Sequence, residues 1–195
     1  MGRPIGVRGS ETRERIIAAA REVFGEVGYE GATTGEIARR ASVTRPALRC
    51  YFPSKRAVYD GVLAGASADI AAAVVAAARE TTLLEQLAAF MAMIVSDRRR
   101  ATFFATVVLD SYRHPDLKNR HCAPREDALA FLTAAVGDAG TRGELDDDTD
   151  AAAVVEMLYA VMVGASLHGG FADAEVEHTA AVERLRRLLS GGFGG

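Results

Sequence analysis

Apolar side chains recur along the chain with a period close to 3.6 residues, and no stretch alternates apolar and polar positions over the length of a strand. A period of 3.6 is typical of helices that bury one face, whereas strands alternate with a period of two. The pattern therefore predicts an all-α protein of about nine helices. The first predicted helix, about 10–27, has Ser10 as its N-cap and follows a flexible arm of residues 1–9.

Capping residues divide the next segment into short helices. The predicted helices and their N-caps are 34–41 after Thr33, 45–51 after Thr44, and 55–79 after Ser54. Thr33 and Glu36 match a capping box, in which each side chain bonds the backbone of the other residue. Pro46 is tolerated in the first turn of its helix, because the N–H it lacks would have no partner there. Ser42 and Val43 form the turn between the two short helices.

The remaining two-thirds of the chain also has helical periodicity. Its predicted helices are 83–95 after a Thr82–Glu85 capping box, 98–112, 116–137, 151–168 and 174–190. The sequence His114-Pro115 ends the second of these, and the acidic run 146–150 places negative charge before the long apolar helix at 151–168, which is favourable at a helix N-terminus. That helix is apolar on nearly all faces, so we expect it to be buried on more than one side.

Charge is distributed unevenly along the chain. Residues 1–60 hold eleven Lys and Arg against seven Asp and Glu, a net charge of +4, whereas residues 61–195 hold twelve against nineteen, a net charge of −7. A basic N-terminal part suits an electrostatic footprint confined to one end, although chance clustering produces the same count.

Two cysteines form no disulfide framework, and no signal peptide or membrane-spanning helix is predicted. We therefore expect a cytoplasmic protein with no membrane partner.

The helix predicted at 45–51 divides into two faces, as a helix that reads DNA requires. Val43, Leu48 and Phe52 form the packing face. Arg45 is the best candidate for direct readout, because a guanidinium can bind guanine O6 and N7 bidentately, and Pro46 and Ala47 offer apolar contact to a thymine methyl. The candidates for phosphate contact are Thr34, Thr44, Arg49, Tyr51 and Lys55. The alternative is a solvated basic turn with no ligand.

Residues 12–63 resemble the DNA-binding domain of the tetracycline-repressor (TetR) family of bacterial transcription regulators. The matching positions are Ile16–Phe24, Gly28-Tyr29, Thr33, Ile37-Ala38, Ala41, Val43-Thr44, Leu48, Tyr51-Phe52 and Ser54-Lys55. By this resemblance Thr33, Thr34, Arg45, Pro46, Tyr51 and Lys55 contact DNA. Ser42 departs from the usual glycine of the turn, and Arg49 stands where the family usually has a phosphate-binding tyrosine. A left-handed Ser42 would cost roughly 1 kcal/mol.

The resemblance also implies the domain organisation. A helix-turn-helix domain at 10–56 precedes a helical ligand-binding and dimerisation domain at 57–190, followed by a Gly-rich tail at 191–195. The last two helices are expected to form a four-helix interface in a homodimer. Burial of these helices within one monomer is the alternative, since the sequence alone is compatible with both.

A pocket for an effector should be concave and apolar with a few polar groups. Candidate linings are Phe90, Met91, Met93, Phe103, Phe104, Val107, Phe131, Tyr159 and Met162, although ordinary core packing explains each of them as well. Asp110 and Glu156 lie within apolar helices, where a buried carboxylate is costly unless it is paired or used. Each is a candidate to orient a polar group of a ligand. Alternatively, each lies on a wet seam or caps a neighbouring helix.

Metal and enzyme functions have weaker support. His114, Asp116, His121 and Cys122 are near each other in sequence but lack a recognised zinc spacing, so no metal site or cofactor is predicted. The chain has no nucleophile elbow and no P-loop. The predicted function is a repressor that a small apolar or amphipathic effector releases from a palindromic operator. The alternatives are a ligand-responsive activator, a nucleoid-binding protein and a helical enzyme.

Overall fold

The computed structural model describes residues 5–113 and 122–171, which contain eight helices and no strand. The helices are α1 Ile5–Gly31, α2 Thr34–Arg40, α3 Arg45–Tyr51, α4 Lys55–Ala77, α5 Leu83–Val95, α6 Arg98–Arg113, α7 Cys122–Thr141 and α8 Ala151–Phe171. The all-α prediction is confirmed. The helix predicted at 174–190 and the tail at 191–195 lie outside the described residues.

Side-chain caps fix the starts of the short helices. The Oγ1 of Thr33 accepts from Glu36 N at 3.1 Å, and the Oγ1 of Thr44 accepts from Ala47 N at 3.2 Å. Ser54 caps α4 in the same way, which confirms all three predicted N-caps. The predicted capping box at Thr33 is only half formed, because the carboxylate of Glu36 binds two arginines of α2 instead. The second capping box, at Thr82 and Glu85, is complete.

Several predicted helix ends were wrong, because local signals were overridden. α1 begins at Ile5, so Ser10 lies inside the helix and the predicted arm is helical from residue 5 onward. Gly28 does interrupt α1, at φ 70°, but the chain continues for one more helical turn to Gly31. α7 passes through Gly137 and ends at Thr141, and α8 continues past His168 to Phe171. Glycine weakens a helix interior, yet packing against neighbouring helices offsets that cost.

Two hydrophobic clusters hold the helices together. The head cluster joins α1, α2, α3 and the first half of α4, and it also takes in Phe103 and Val107 of α6. The body cluster joins the second half of α4 with α5, α7 and α8, and it takes in Phe104. Adjacent residues of α6, Phe103 and Phe104, therefore belong to different clusters. α4 and α6 are the helices that connect the head to the body.

α4 and residues 151–170 of α8 are long and apolar enough to cross a membrane by length and composition alone. The core helices of soluble proteins meet the same criterion. α4 contributes to both cores, because it gives Val58, Val62 and Ala66 to the head cluster and Ile70, Ala73 and Ala77 to the body cluster. The absence of a membrane partner stays a prediction.

Candidate nucleic-acid interface

The two faces of α3 differ in exposure as the sequence predicted. Leu48 is fully buried and Phe52 is 4% exposed, so both fix the helix to the head cluster. The exposed face carries Thr44, Arg45, Pro46, Arg49 and Tyr51, with Ala47 half-buried beside them. α3 therefore presents two arginines and a tyrosine to solvent on a firmly packed scaffold, which is the arrangement that a helix needs to enter a DNA groove.

The guanidinium of Arg45 lies against the backbone of α2 at Gly35. A Cβ built on Gly35 would be 2.6 Å from the Nε and 2.7 Å from the Cζ of Arg45, closer than atoms can pack. Arg45 has no carboxylate partner among residues 5–113 and 122–171. The charge of Arg45 therefore stays available for DNA next to Thr34. Gly35 itself was not among the predicted site residues. The sequence signal for Gly35 was a glycine in the first turn of a predicted helix.

The threonines at the two helix starts retain hydrogen-bonding capacity. The oxygens of Thr33 and Thr44 accept from backbone amides of their own helices. A hydroxyl that accepts one bond still has a proton to donate, so each of these exposed threonines can also donate to a phosphate oxygen. Thr34, half-buried at the start of α2, lies beside them.

Lys55 is engaged within the head, which the sequence did not predict. Its Nζ donates to the carbonyl oxygen of Tyr29 at 2.8 Å and to that of Glu30 at 3.3 Å, and it lies 4.5 Å from the centroid of the Tyr29 ring. These contacts bind the start of α4 to the end of α1. An ammonium has three donors, and Lys55 Nζ already has two carbonyl partners. A phosphate contact by Lys55 stays a prediction.

Carboxylates neutralise both arginines of α2, Arg39 and Arg40. Arg40 donates to both oxygens of Glu26 at 2.6 Å and to Glu36 at 2.9 Å, while Arg39 forms a bidentate pair with Glu36. Hydrogen bonds from Arg39 and Arg40 lower the pKa of the Glu36 carboxyl to about 2. The hydrogen bond from Arg40 likewise lowers the pKa of Glu26. The positive charge of the head is thereby concentrated on α3 rather than spread over α2.

The turn between α2 and α3 uses left-handed backbone geometry at Ser42, where φ is 55°. The turn typical of the family is therefore kept although its usual glycine is missing. A serine in this conformation costs free energy that a glycine would not. The amide of Val43 bonds to the carbonyl of Ala38 at 2.9 Å, and this bond helps to hold the turn in place.

Asp110 caps the end of α1 and also lines a groove of about 270 Å³ with Gly28 and Thr106, so its predicted contact with an effector stays a prediction. Its side chain is 3% exposed, and its Oδ2 accepts a 2.9 Å hydrogen bond from the amide of Tyr29, directly after the kink at Gly28. Four residues earlier on α6, the hydroxyl of Thr106 donates to the carbonyl of Gly25 at 3.0 Å. The body therefore holds the end of α1 at two points. Capping a neighbour was one of the alternatives for Asp110, and it is the one observed.

The other candidate effector residues separate into three groups. Phe103 and Val107 belong to the head cluster, where Phe103 packs near Tyr59, and their predicted contact with an effector stays a prediction. Phe90, Met91, Phe104, Phe131, Tyr159 and Met162 share the body cluster, with Met93 packed against it. Phe90 and Phe131 stack at 4.4 Å between ring centroids. Glu156 is exposed on α8, outside this core.

Grooves run along the seam between α1 and α6. One, of about 520 Å³, is lined by Arg21, Glu22, Gly25, Glu26, Arg98, Arg99, Thr102 and Gly170. Its charged groups all have partners: Arg99 pairs with Glu22 at 2.9 Å within the groove, whereas Arg21 pairs with Asp69 and Glu26 with Arg40 outside its lining. In residues 5–113 and 122–171 no group of three or more His, Cys, Asp or Glu side chains is placed to hold a metal ion. His114, Asp116 and His121 lie outside the described residues, as does the side chain of Cys122.

Comparison with known sequences decides the family. Residues 16–62 match the family model for bacterial regulatory proteins of the tetR family, and residues 79–185, more than half of the chain, match that for a tetracyclin repressor-like C-terminal domain. The chain belongs to the tetR family. This TetR-family chain combines the N-terminal domain of bacterial regulatory proteins with the family's C-terminal domain, and the relatives it matches are transcriptional regulators rather than enzymes.

Individual relatives match the protein over different lengths. The HTH-type transcriptional repressor BepR of Brucella suis biovar 1 (strain 1330) is 30% identical over 165 residues, which cover 80% of this chain and 78% of BepR. The HTH-type transcriptional regulator SrpR of Pseudomonas putida is 47% identical over 64 residues, which cover 33% of this chain and 30% of SrpR. The chain also spans only 48% of the uncharacterized regulator TtgW, likewise of Pseudomonas putida. The stronger similarity is thus confined to a short segment.

Solved structures share the fold over nearly the whole chain. The fatty acid degradation regulator FadR of Bacillus halodurans has a TM-score of 0.76 at 20% identity, covering 93% of this TetR-family chain and 95% of FadR. The regulator FadR of Bacillus subtilis, solved in complex with stearoyl-CoA, has a TM-score of 0.75 at 19% identity, with 93% and 99% covered. At these identities the likeness establishes the fold, and the ligand is a property of that relative.

Proposed function

We propose that this protein is a repressor that binds a palindromic operator as a homodimer and is released by a small apolar or amphipathic effector. The observation that carries the proposal is the division of α3, whose buried face is fixed by Leu48 while its exposed face carries Arg45 and Arg49. A cytoplasmic location follows from this function, because the operator lies on the bacterial chromosome.

The exposed residues of the head have different roles in this proposal. Arg45 reads a base pair in the major groove, and Pro46 and Ala47 contact a neighbouring base. Thr33, Thr34, Thr44, Arg49 and Tyr51 bind phosphates, which position the helix without reading sequence. The concentration of unpaired charge on α3 supports this division, because α2 has its arginines tied to Glu26 and Glu36.

A second copy of the chain covers one face of α8. Met157, Val161 and Leu167 are 55%, 40% and 43% exposed within one chain, although they belong to an apolar helix. Exposed apolar side chains spaced along one helix are typical of a helical interface. The dimer brings two copies of α3 to successive major grooves, about 34–36 Å apart. The segment 174–190, which the sequence also assigns to the interface, lies outside the described residues.

The effector acts on the body cluster, and α6 carries its effect to the head. Phe90, Met91, Phe131, Tyr159 and Met162 give that cluster the aromatic and thioether groups that adapt to apolar ligands. α6 contributes Phe104 to the same cluster and Asp110 to the hydrogen bond on Tyr29. A ligand that moves α6 therefore moves the end of α1, and the effector shifts the equilibrium by its differential affinity for the two arrangements.

The proposal is tested by capturing genomic fragments on the purified full-length chain and footprinting the fragments that bind. We expect a short inverted repeat upstream of a gene, bound with an affinity that falls steeply as salt rises. Transcription from that promoter should rise when the gene for this protein is deleted. Lower transcription in the deletion strain would favour an activator, and uniform capture of all fragments would favour a nucleoid-binding protein.

Matched substitutions on α8 test the dimer. Val161→Glu on the exposed face should give a monomer by sedimentation and abolish binding to the full inverted repeat. Glu156→Lys changes a charge on the same helix and serves as a control for charge alone. A Val161→Glu protein that remains a dimer would contradict this interface while leaving the DNA-reading role untouched.

A further inference from the structure

We infer that Gly35 is a specificity-determining residue, because its missing side chain creates the site in which the guanidinium of Arg45 rests. The inference depends on the proposed reading role of Arg45 and goes beyond it. Gly35 was not a candidate for DNA contact, and nothing in its chemistry offers a contact to a base. The role of Gly35 is to position Arg45, which contacts the base.

The geometry supports this role directly. A Cβ at position 35 would lie 2.6 Å from Nε and 2.7 Å from Cζ of Arg45, so a side chain at 35 and the present position of the guanidinium exclude each other. The nearest atoms come from the far end of a flexible side chain and from no backbone group. Any larger residue at 35 would therefore displace Arg45 and leave the fold of the head as it is.

The position of the Arg45 guanidinium against Gly35 has a consequence for recognition. The guanidinium reads guanine through two fixed hydrogen bonds, so a small change in its position weakens both together. Other glycines of the chain, such as Gly137 and Gly140, have nothing within 4 Å of an added Cβ. Gly35 is therefore distinguished from them by its contact with Arg45.

The test measures operator affinity and base preference for Gly35→Ala. Wild-type protein first selects a preferred duplex from a random library, and fluorescence anisotropy then gives Kd for that duplex and for each single base-pair change. We expect Gly35→Ala to bind the preferred duplex about tenfold or more weakly and to lose discrimination at one base pair in each half-site. Its Tm should be unchanged or higher, because alanine is a better helix former than glycine. Gly140→Ala is the matched control and should bind as the wild type does.

A double-mutant cycle with Arg45→Ala separates displacement of Arg45 from a direct clash between the new methyl group and DNA. If Gly35 acts through Arg45, Gly35→Ala should have no further effect in the Arg45→Ala protein. An equal loss of affinity in both backgrounds would overturn the inference, as would wild-type affinity and preference in Gly35→Ala alone. Wild-type protein that binds all duplexes alike would overturn both this inference and the proposed function.

Discussion

The head and the body of this molecule are both helical and apolar inside, yet their sequences specify them in different ways. In the head, Thr33, Thr44 and Ser54 start three successive helices by capping, and short turns leave few alternatives for their packing. In the body, a complete capping box starts α5, but α7 and α8 pass through glycines before they end. Local chemistry thus determines the short helices of the head, whereas it does not determine where the long helices of the body end.

The largest expected effect comes from removing a ring that the head core requires. Phe24 is fully buried and meets Tyr59 edge-on, with 4.7 Å between centroids. Phe24→Ala should lower the free energy of unfolding by about 3–5 kcal/mol. Urea unfolding followed by circular dichroism measures the loss. Phe90→Ala, at a fully buried position of the body, is the matched control and should cost as much stability while lowering operator affinity less than Phe24→Ala does. Equal damage to DNA binding by both variants would contradict the division between head and body.

The next effect tests the connection between the two regions. Asp110→Leu removes the acceptor of the half-buried Tyr29 amide, which should lower the free energy of unfolding by about 1–3 kcal/mol. Effector-dependent release from the operator should also weaken, because α6 no longer holds the end of α1. Asp110→Asn keeps an acceptor oxygen and should lose less of both. The coupling account fails if Asp110→Leu responds to effector as the wild type does.

A smaller effect concerns the strained turn of the head. Ser42 has φ of 55°, so Ser42→Gly should raise the free energy of unfolding by up to about 1 kcal/mol. Thermal unfolding measures the gain, and Ser42→Ala, which keeps the strain, should not show it. A lower Tm for Ser42→Gly would mean that the hydroxyl contributes more than the backbone geometry costs.

The smallest effect is the acid sensitivity of the head. The pKa of Glu36 is lowered from 4.5 to about 2, and that of Glu26 is also lowered, so both carboxylates stabilise the fold while ionised. That contribution is complete above the unfolded pKa and is lost as pH falls from about 4.5 towards 2. Arg40→Gln should flatten the dependence of Tm on pH in this range. An unchanged slope would show that these ion pairs are too solvated to matter.

The sequence predicted the parts of the fold that depend on neighbouring residues. The caps at Thr33, Thr44, Ser54 and Thr82, the two faces of α3 and the turn at Ser42 all follow from residues a few positions apart, whereas the cap predicted at Ser10 was wrong. Contacts between distant segments could not be predicted in this way. The hydrogen bond from the amide of Tyr29 to Asp110 joins residues 81 positions apart, and that from Lys55 to the carbonyl of Tyr29 spans 26. For this reason the sequence left several alternatives open for Asp110, of which the cap on a neighbouring helix is the one that the structure contains.

The effector candidates illustrate the same limit. Phe103 and Phe104 are equivalent in a sequence pattern, and both suit an apolar pocket. Their helix packs between two clusters, so one ring faces the head and the other faces the body. Only the position of α6 relative to its neighbours distinguishes them, and no local signal contains that information.

Equilibrium binding of the full-length chain to its selected inverted repeat and to a scrambled duplex tests the central claim most directly. Both measurements are made at several salt concentrations, for the wild type and for Arg45→Ala. We expect the wild type to bind the repeat at least about 10³-fold more tightly than the scrambled duplex, and Arg45→Ala to lose most of that ratio while keeping the affinity for scrambled DNA. A wild-type ratio near one, or a ratio unchanged by Arg45→Ala, would contradict the claim that α3 reads the operator.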